Sequence, residues 1–174
     1  AAIVLKTVLD VDAKNITNMF LNNERLVIFY NGLGQNEVIS QYDYQLKSQN
    51  HPVTFTLILD VSDKTSPHVL KNYQIDGRFN DARMIDNFVY VITTTSLNPQ
   101  YPLVPQIIDD DLGLVIKPDV FYFDTFGQYY KFNTVTAIDI FSDTINSETF
   151  LMENSIRYYE SIVSWLQSLL LYLL

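Results

Sequence analysis

Four stretches rich in apolar and aromatic residues, Ile16 to Leu21, Arg25 to Tyr30, Phe79 to Ile85 and Phe88 to Thr94, read as two pairs of strands. Aromatic and β-branched residues favour the half-buried, pleated environment of strands. Asn22-Asn23 is predicted to link the first pair and Asp86-Asn87 the second, because Asn and Asp tolerate the left-handed backbone that a two-residue hairpin demands. Two apolar runs follow the same plan as each other: Phe55 to Asp63 resembles Val135 to Asp143, and both end in acidic and hydroxyl residues. A further short strand comes after each, His68 to Ile75 and Glu148 to Met152, while Val4-Leu5-Lys6-Thr7 is echoed by Val69-Leu70-Lys71-Asn72. The order in each unit is strand, tight turn, strand, long loop, strand, turn, strand. The long loop is Asn31 to Pro52 in the first unit and Thr95 to Gln128 in the second.

A repeated four-stranded antiparallel meander is the plan of a β-propeller blade. The predicted fold class is therefore all-β, a partial propeller, with a sandwich or jelly roll as the competing arrangement of short, evenly spaced strands. Residues 1–174 are read as one partial propeller domain. Within it, 1–15 is the outer strand of a preceding blade and a connector, 16–77 is one blade, 78–152 a second, and 153–174 an incomplete blade or a terminal helix. Helical spacing of Ile162, Trp165, Leu166, Leu169, Leu170 and Leu173 favours the helix; a strand pair of unusual composition, and an altered reading frame or artificial chain end, are the alternatives. This stretch is shorter than the roughly 20 apolar residues that cross a bilayer, so no transmembrane span is expected.

Composition narrows the partners. With 20 acidic against 11 basic residues the formal net charge is −9, which disfavours nucleic acid and anionic membrane surfaces. The absence of cysteine removes disulfides, thiolate metal sites and cysteine nucleophiles. Tyr (12) and Phe (11) are abundant, as suits half-buried strands. Charged residues are only 18%, and a surface filled by Asn, Thr and Ser suits a secreted protein. The chain starts Ala1-Ala2-Ile3, so a signal peptide is expected to have been removed or to lie outside it. Asn15-Ile16-Thr17 is an N-glycosylation sequon.

The stretch Asp81-Ala82-Arg83-Met84-Ile85-Asp86-Asn87-Phe88-Val89-Tyr90-Val91-Ile92-Thr93 resembles the secreted archaeal and bacterial family of β-propeller domain proteins. Leu59-Asp60-Val61-Ser62-Asp63 with Ser66-Pro67, Tyr101-Pro102-Leu103-Val104-Pro105, Thr134 to Ile140 and Glu148 to Met152 carry the same resemblance. It implies an extracellular or surface-attached module without an established catalytic site, so no catalytic residue is assigned. It also implies chains several times longer. The 174 residues are accordingly expected to be a fragment, a truncated product or a subunit whose sheets are completed by a neighbour.

Meander geometry gathers the loops Asn31 to Pro52 and Thr95 to Gln128 with the connector Asp76-Gly77-Arg78 on one face, where recognition is expected. The candidate ligand-binding residues are Asp76, Arg78, Tyr101, Asp109, Asp110, Asp111, Tyr122 and Tyr129, with Asn15 as a glycosylation candidate. The Asp109-Asp110-Asp111 run, followed by Asp119 and Asp124, offers oxygens to Ca²⁺ but matches no calcium-loop spacing, so no cofactor and no metal site is assigned. A carboxylate-dependent hydrolase using those acids is one alternative function. The aromatic stretch Phe121, Tyr122, Phe123, Phe126, Tyr129, Tyr130 and Phe132 is read first as filling the seam between blades and second as a sugar- or protein-binding patch. His51 and His68 stand apart from any metal-like or triad pattern. Arg83 and Asp81, two apart on one strand, are expected to pair and hold the register. The leading function is a non-catalytic extracellular or cell-surface module binding a protein or glycan through its loop-rich face. A surface-assembly subunit pairing through open sheet edges is the other alternative.

Overall fold

A computed structural model describes residues 15–35, 50–97, 104–110, 112–122, 129–142 and 144–153. They form eleven strands in two sheets: β1 (Ile16–Asn22), β2 (Arg25–Gln35), β3 (Asn50–Asp60), β4 (His68–Asp76), β5 (Arg78–Ile85), β6 (Phe88–Ser96), β7 (Ile107–Asp109), β8 (Leu114–Ile116), β9 (Asp119–Tyr122), β10 (Tyr130–Asp139) and β11 (Ile145–Glu153). The first sheet has the order β1-β2-β3-β4-β7-β8 and the second β5-β6-β10-β11-β9. Each therefore contains a four-stranded antiparallel meander in chain order, as in the all-β partial propeller expected. Val4 to Thr7 and the expected C-terminal helix lie outside the described residues.

The repeat extends to individual residue pairs. Asn22↔Arg25, Leu21↔Leu26 and Met19↔Ile28 in the first sheet match Ile85↔Phe88, Met84↔Val89 and Ala82↔Val91 in the second. Even the irregularity recurs, between Ile16 and Asn18 in β1 and between Phe79 and Asp81 in β5. The turns are equivalent too: Asn23 (φ 52) and Asp86 (φ 51) take the left-handed backbone, and Val61 N and Ile140 N donate to Glu24 O and Asn87 O. The first tight turn is thus Asn23-Glu24 rather than Asn22-Asn23, because Asn22 still pairs with Arg25.

Three further differences from the sequence reading concern the loops and a charge pair. β2 and β3 continue to Gln35 and Asn50, well into the segment read as a loop. The Thr95 to Gln128 segment contributes β7 and β8 to the outer edge of the first sheet and β9 to that of the second, where it runs parallel to β11. Arg83 is exposed, and the Asp81 carboxylate accepts the Ala82 amide at 2.9 Å, with no Asp81–Arg83 ion pair. The local main chain satisfies that acid more cheaply than a long solvated side chain would.

One core lies between the sheets. Val27, Phe29, Ile58, Tyr73 and Ile75 of the first pack against Ala82, Val89, Val91, Ile138 and Ile140 from the second. Phe29 is central to it, edge-on to Phe20 (centroids 6.2 Å apart) and tilted against Phe79 of the facing sheet (5.6 Å). At the hairpin end Asn22 Nδ2 donates to Asp86 O at 2.8 Å, and the Arg25 guanidinium lies 5.5 Å from the centre of the Phe141 ring. Arg25 also pairs with Asp60 on the adjacent strand.

Asp60 begins the β3–β4 turn, accepting the Ser62 amide at 2.9 Å. The Ser62 hydroxyl and amide, and then the Arg25 guanidinium, outweigh the desolvation of this carboxyl and hold it at about 2 against an ordinary 3.8. A carboxyl depressed in the folded state stabilises the fold above its unfolded value, and that contribution is lost as pH falls through the folded value. The window is therefore from the ordinary value of 3.8 down to about 2. An NMR titration of the Asp60 carboxyl should show a midpoint near the lower figure. Ser62→Ala should move it upward, and an unmoved midpoint would assign the depression to Arg25 instead.

Candidate functional site

The end of the sheets where the chain passes from β4 to β5 is organised by polar groups. Gly77 is the whole connection, with φ +106, and its N donates to Pro52 O at 2.9 Å. A side chain here would meet Thr95 Oγ1 at 2.7 Å and Thr94 O at 3.0 Å. Thr54 and Thr93, both fully buried between the sheets, donate to Gly77 O (3.0 Å) and Asp76 O (2.8 Å). Their hydroxyls thus serve connector carbonyls that would otherwise be buried without a donor. Asn31 Oδ1 accepts the Phe79 amide at 3.1 Å on the other side of the connector.

Asp76 is the hub. Its Oδ1 lies 2.8 Å from His51 Nε2 and its Oδ2 accepts Gln106 N at 3.0 Å, while its own N donates to Gln106 O at 3.0 Å. Asp76 is only 7% exposed, and its carboxylate ties three separate segments into one rigid end. His51, isolated in the sequence, acquires this partner through cross-strand register, since Val53 stands opposite Asp76. Asp76 is therefore a framework group beneath the surface, and Arg78, the exposed first residue of β5, is its outward neighbour.

The other candidates are distributed by the three short strands. Tyr122 and Tyr129 reach the connector end: Tyr122 pairs with Leu151, which stands opposite Phe132, itself opposite Thr95 beside Gly77. Both rings face solvent, at 77% and 73% exposure. Phe121, stacked on Phe150 at 5.6 Å, anchors the strand behind them. The acids go elsewhere. Asp109 is buried opposite Tyr73 in mid-sheet and accepts Leu112 N at 3.2 Å. Asp110 takes Asn72 Nδ2 (2.7 Å) and Gln74 Nε2 (2.5 Å) on the outward side of the first sheet. Asp119 is exposed at the start of β9. Tyr101, Asp111 and Asp124 lie outside the described residues. Among the described residues no group of three or more His, Cys, Asp or Glu is disposed to hold a metal ion.

Sequence reasoning did not find the outward side of β2 and β3 around Asp110. Tyr30 stacks on Phe55 at 4.7 Å and 9°, and burial, followed by the Asp110 charge, pushes its phenol above the ordinary 10.0. Only the register, with Tyr30 opposite Phe55 and Phe55 opposite Gln74, brings these groups together. Asn15 is exposed at the entry to β1, and the sequon's Thr17 donates to Phe29 O at 3.2 Å. No helix among the described residues is long and apolar enough to cross a membrane.

No curated protein and no solved structure matches the chain. A family model described as "Beta propeller domain" matches residues 2–164, nearly its whole length. Two meander sheets packed face to face agree with that match, and the chain belongs to the beta propeller domain family.

Proposed function

We propose that this chain is a non-catalytic module of the cell surface or extracellular space that binds a protein or a glycan at the connector end. The observation that carries the reading is the pair of exposed rings, Tyr122 and Tyr129, at the connector end of the second sheet, whose opposite edge carries Arg78 beside a connector that Asp76, His51 and Gln106 make rigid. A phenol ring offers a flat apolar face and a hydroxyl at low entropic cost, which suits both sugar rings and protein surfaces. A preorganised end lowers the ordering cost of binding further. The net charge of −9 favours neutral or basic partners over anionic ones.

The probe is an immobilised panel of neutral glycans and cell-envelope proteins, with the 174-residue chain in solution. Tyr129→Ala, at an exposed position, is expected to weaken binding to a bound member by about tenfold or more with unfolding unchanged, the loss typical of an aromatic anchor. Binding that survives Arg78→Ala, Tyr122→Ala and Tyr129→Ala together would remove this end as the site, and a panel with no bound member counts against the reading as a whole.

Assembly through sheet edges is a second reading. Among the described residues β1 and β8 border the first sheet and β5 and β9 the second, each with one side unpaired. Such edges are templates for strand addition.

A further inference from the structure

The first strand of each meander, β1 or β5, borders its sheet, and the register says which of its amides face outward. Along an antiparallel pair every second residue turns its main-chain groups away from the neighbouring strand. In the second sheet Ile140 N donates to Asn87 O, so the odd-numbered residues of β6 serve β10 and the even-numbered ones serve β5. Ala82 and Met84, opposite Val91 and Val89, therefore turn their N–H groups to the open edge. In the first sheet Val61 N donates to Glu24 O, and the same count leaves Met19 and Leu21 of β1 turned outward.

On both strands the first of these outward amides is already used. Met19 N donates to Asn18 Oδ1 at 2.8 Å and Ala82 N to Asp81 Oδ1 at 2.9 Å. Asn18 and Asp81 hold equivalent positions, each closing a register shift, between Ile16 and Asn18 and between Phe79 and Asp81. The residue inside each shift reaches back across its own sheet: Thr17 Oγ1 donates to Phe29 O at 3.2 Å, and Asn80 Nδ2 to Thr94 Oγ1 at 3.4 Å. On β5 the amide before the shift is taken as well, since Phe79 N donates to Asn31 Oδ1 at 3.1 Å. Bulges of this kind twist an edge away from a newcomer, and a strand that pairs there needs those same donors.

The outer border of the first sheet is built differently. Asp110 N donates to Asn72 O, and the alternation carried through β7 turns Val115 of β8 outward. Among the described residues no side-chain oxygen takes the Val115 amide, and Val115 and Leu114 stand 46% and 52% exposed.

We infer that Asn18 and Asp81 are edge caps that close β1 and β5 to strand addition, so that a strand joining this chain through its sheets pairs at the outer borders β8 and β9. The inference deepens the reading of assembly through sheet edges and rests on it for where a partner strand goes.

Amide hydrogen exchange of the 174-residue chain, followed by NMR, tests the caps. The Met19 and Ala82 amides are expected to exchange about five- to tenfold faster in Asn18→Ala and Asp81→Ala respectively, the effect of losing one hydrogen bond. Asn18→Asp and Asp81→Asn, which interchange the two natural caps, should keep the slow exchange, and unmoved amides in β2 and β6 report that each variant is folded. Amides that ignore the alanine substitutions overturn the inference. Closure is read by sedimentation velocity at matched concentration, where Asn18→Ala/Asp81→Ala is expected to associate and the wild-type chain to associate less or not at all. A double variant that associates no more than wild type overturns the inference, and so does a wild-type assembly that slows exchange at Leu21 or Met84. Slowing at Val115 or along β9 in a wild-type assembly supports both the caps and the edge reading. A wild-type chain that stays single while the double variant pairs supports the caps and removes the edge reading.

Discussion

Replacing Phe29 with alanine is expected to lower the unfolding free energy by about 3–5 kcal/mol, the usual range for deleting a fully buried aromatic side chain. Phe29 has no exposed surface and touches rings from both sheets, Phe20 on the neighbouring strand and Phe79 across the interface. Aromatic pairs of this kind add roughly 0.5–1.5 kcal/mol each beyond the area they bury. Because domains hold only about 5–15 kcal/mol in total, the variant is expected to sit at the margin of folding. Urea unfolding followed by tyrosine fluorescence measures the change, and Phe29→Leu, which keeps much of the volume, should fall between the two. A loss under about 1 kcal/mol for the alanine would mean the sheets do not meet there.

The second large effect is expected at the connector. Gly77→Ala meets two separate obstacles: a backbone at φ +106 that L-residues rarely adopt, and a methyl carbon 3.0 Å from the Thr94 carbonyl oxygen. Backbone strain of about 1–3 kcal/mol and overpacking of about 1–3 kcal/mol together predict a loss of roughly 2–4 kcal/mol, allowing for partial relaxation. Gly113 supplies the control, since it has φ +60 and nothing within 4 Å of the same added atom. Gly113→Ala should cost only the left-handed backbone penalty, about 1–2 kcal/mol. Equal losses at the two positions would show that the close approach at Gly77 carries no energy.

The hairpins β1–β2 and β5–β6 could be read directly from the chain because apolar strand composition and turn chemistry point the same way in each. The one-residue error at Asn23-Glu24 has a simple cause. Two adjacent asparagines offer the same left-handed tolerance, and only pairing of Asn22 with Arg25 decides between them. Segment 31–52 reads as a loop because Gly32, Gly34 and Pro52 are poor strand residues. Pro52 is nevertheless accommodated, since it precedes Val53, the first β3 residue that pairs with β4. β7, β8 and β9 have three or four residues each, too few for any period to emerge. Their placement, and with it the separation of Asp109 and Asp110 from the connector, is decided by unpaired outer strands that nothing local encodes. Asp76 and Arg78 could be picked out as connector residues, but the His51 and Gln106 contacts that make Asp76 structural depend on register and on β7.

The two outer-edge strands β7 and β8 belong to the first sheet yet lie in the chain between β6 and β10 of the second. During synthesis the earlier sheet therefore has to wait with β4 uncovered until two of the later one's five strands have emerged. The two units are laced together like a stitch that returns through the first cloth after entering the second. Cutting the chain at Gly77 would not yield two separable halves but would strip one half of its border.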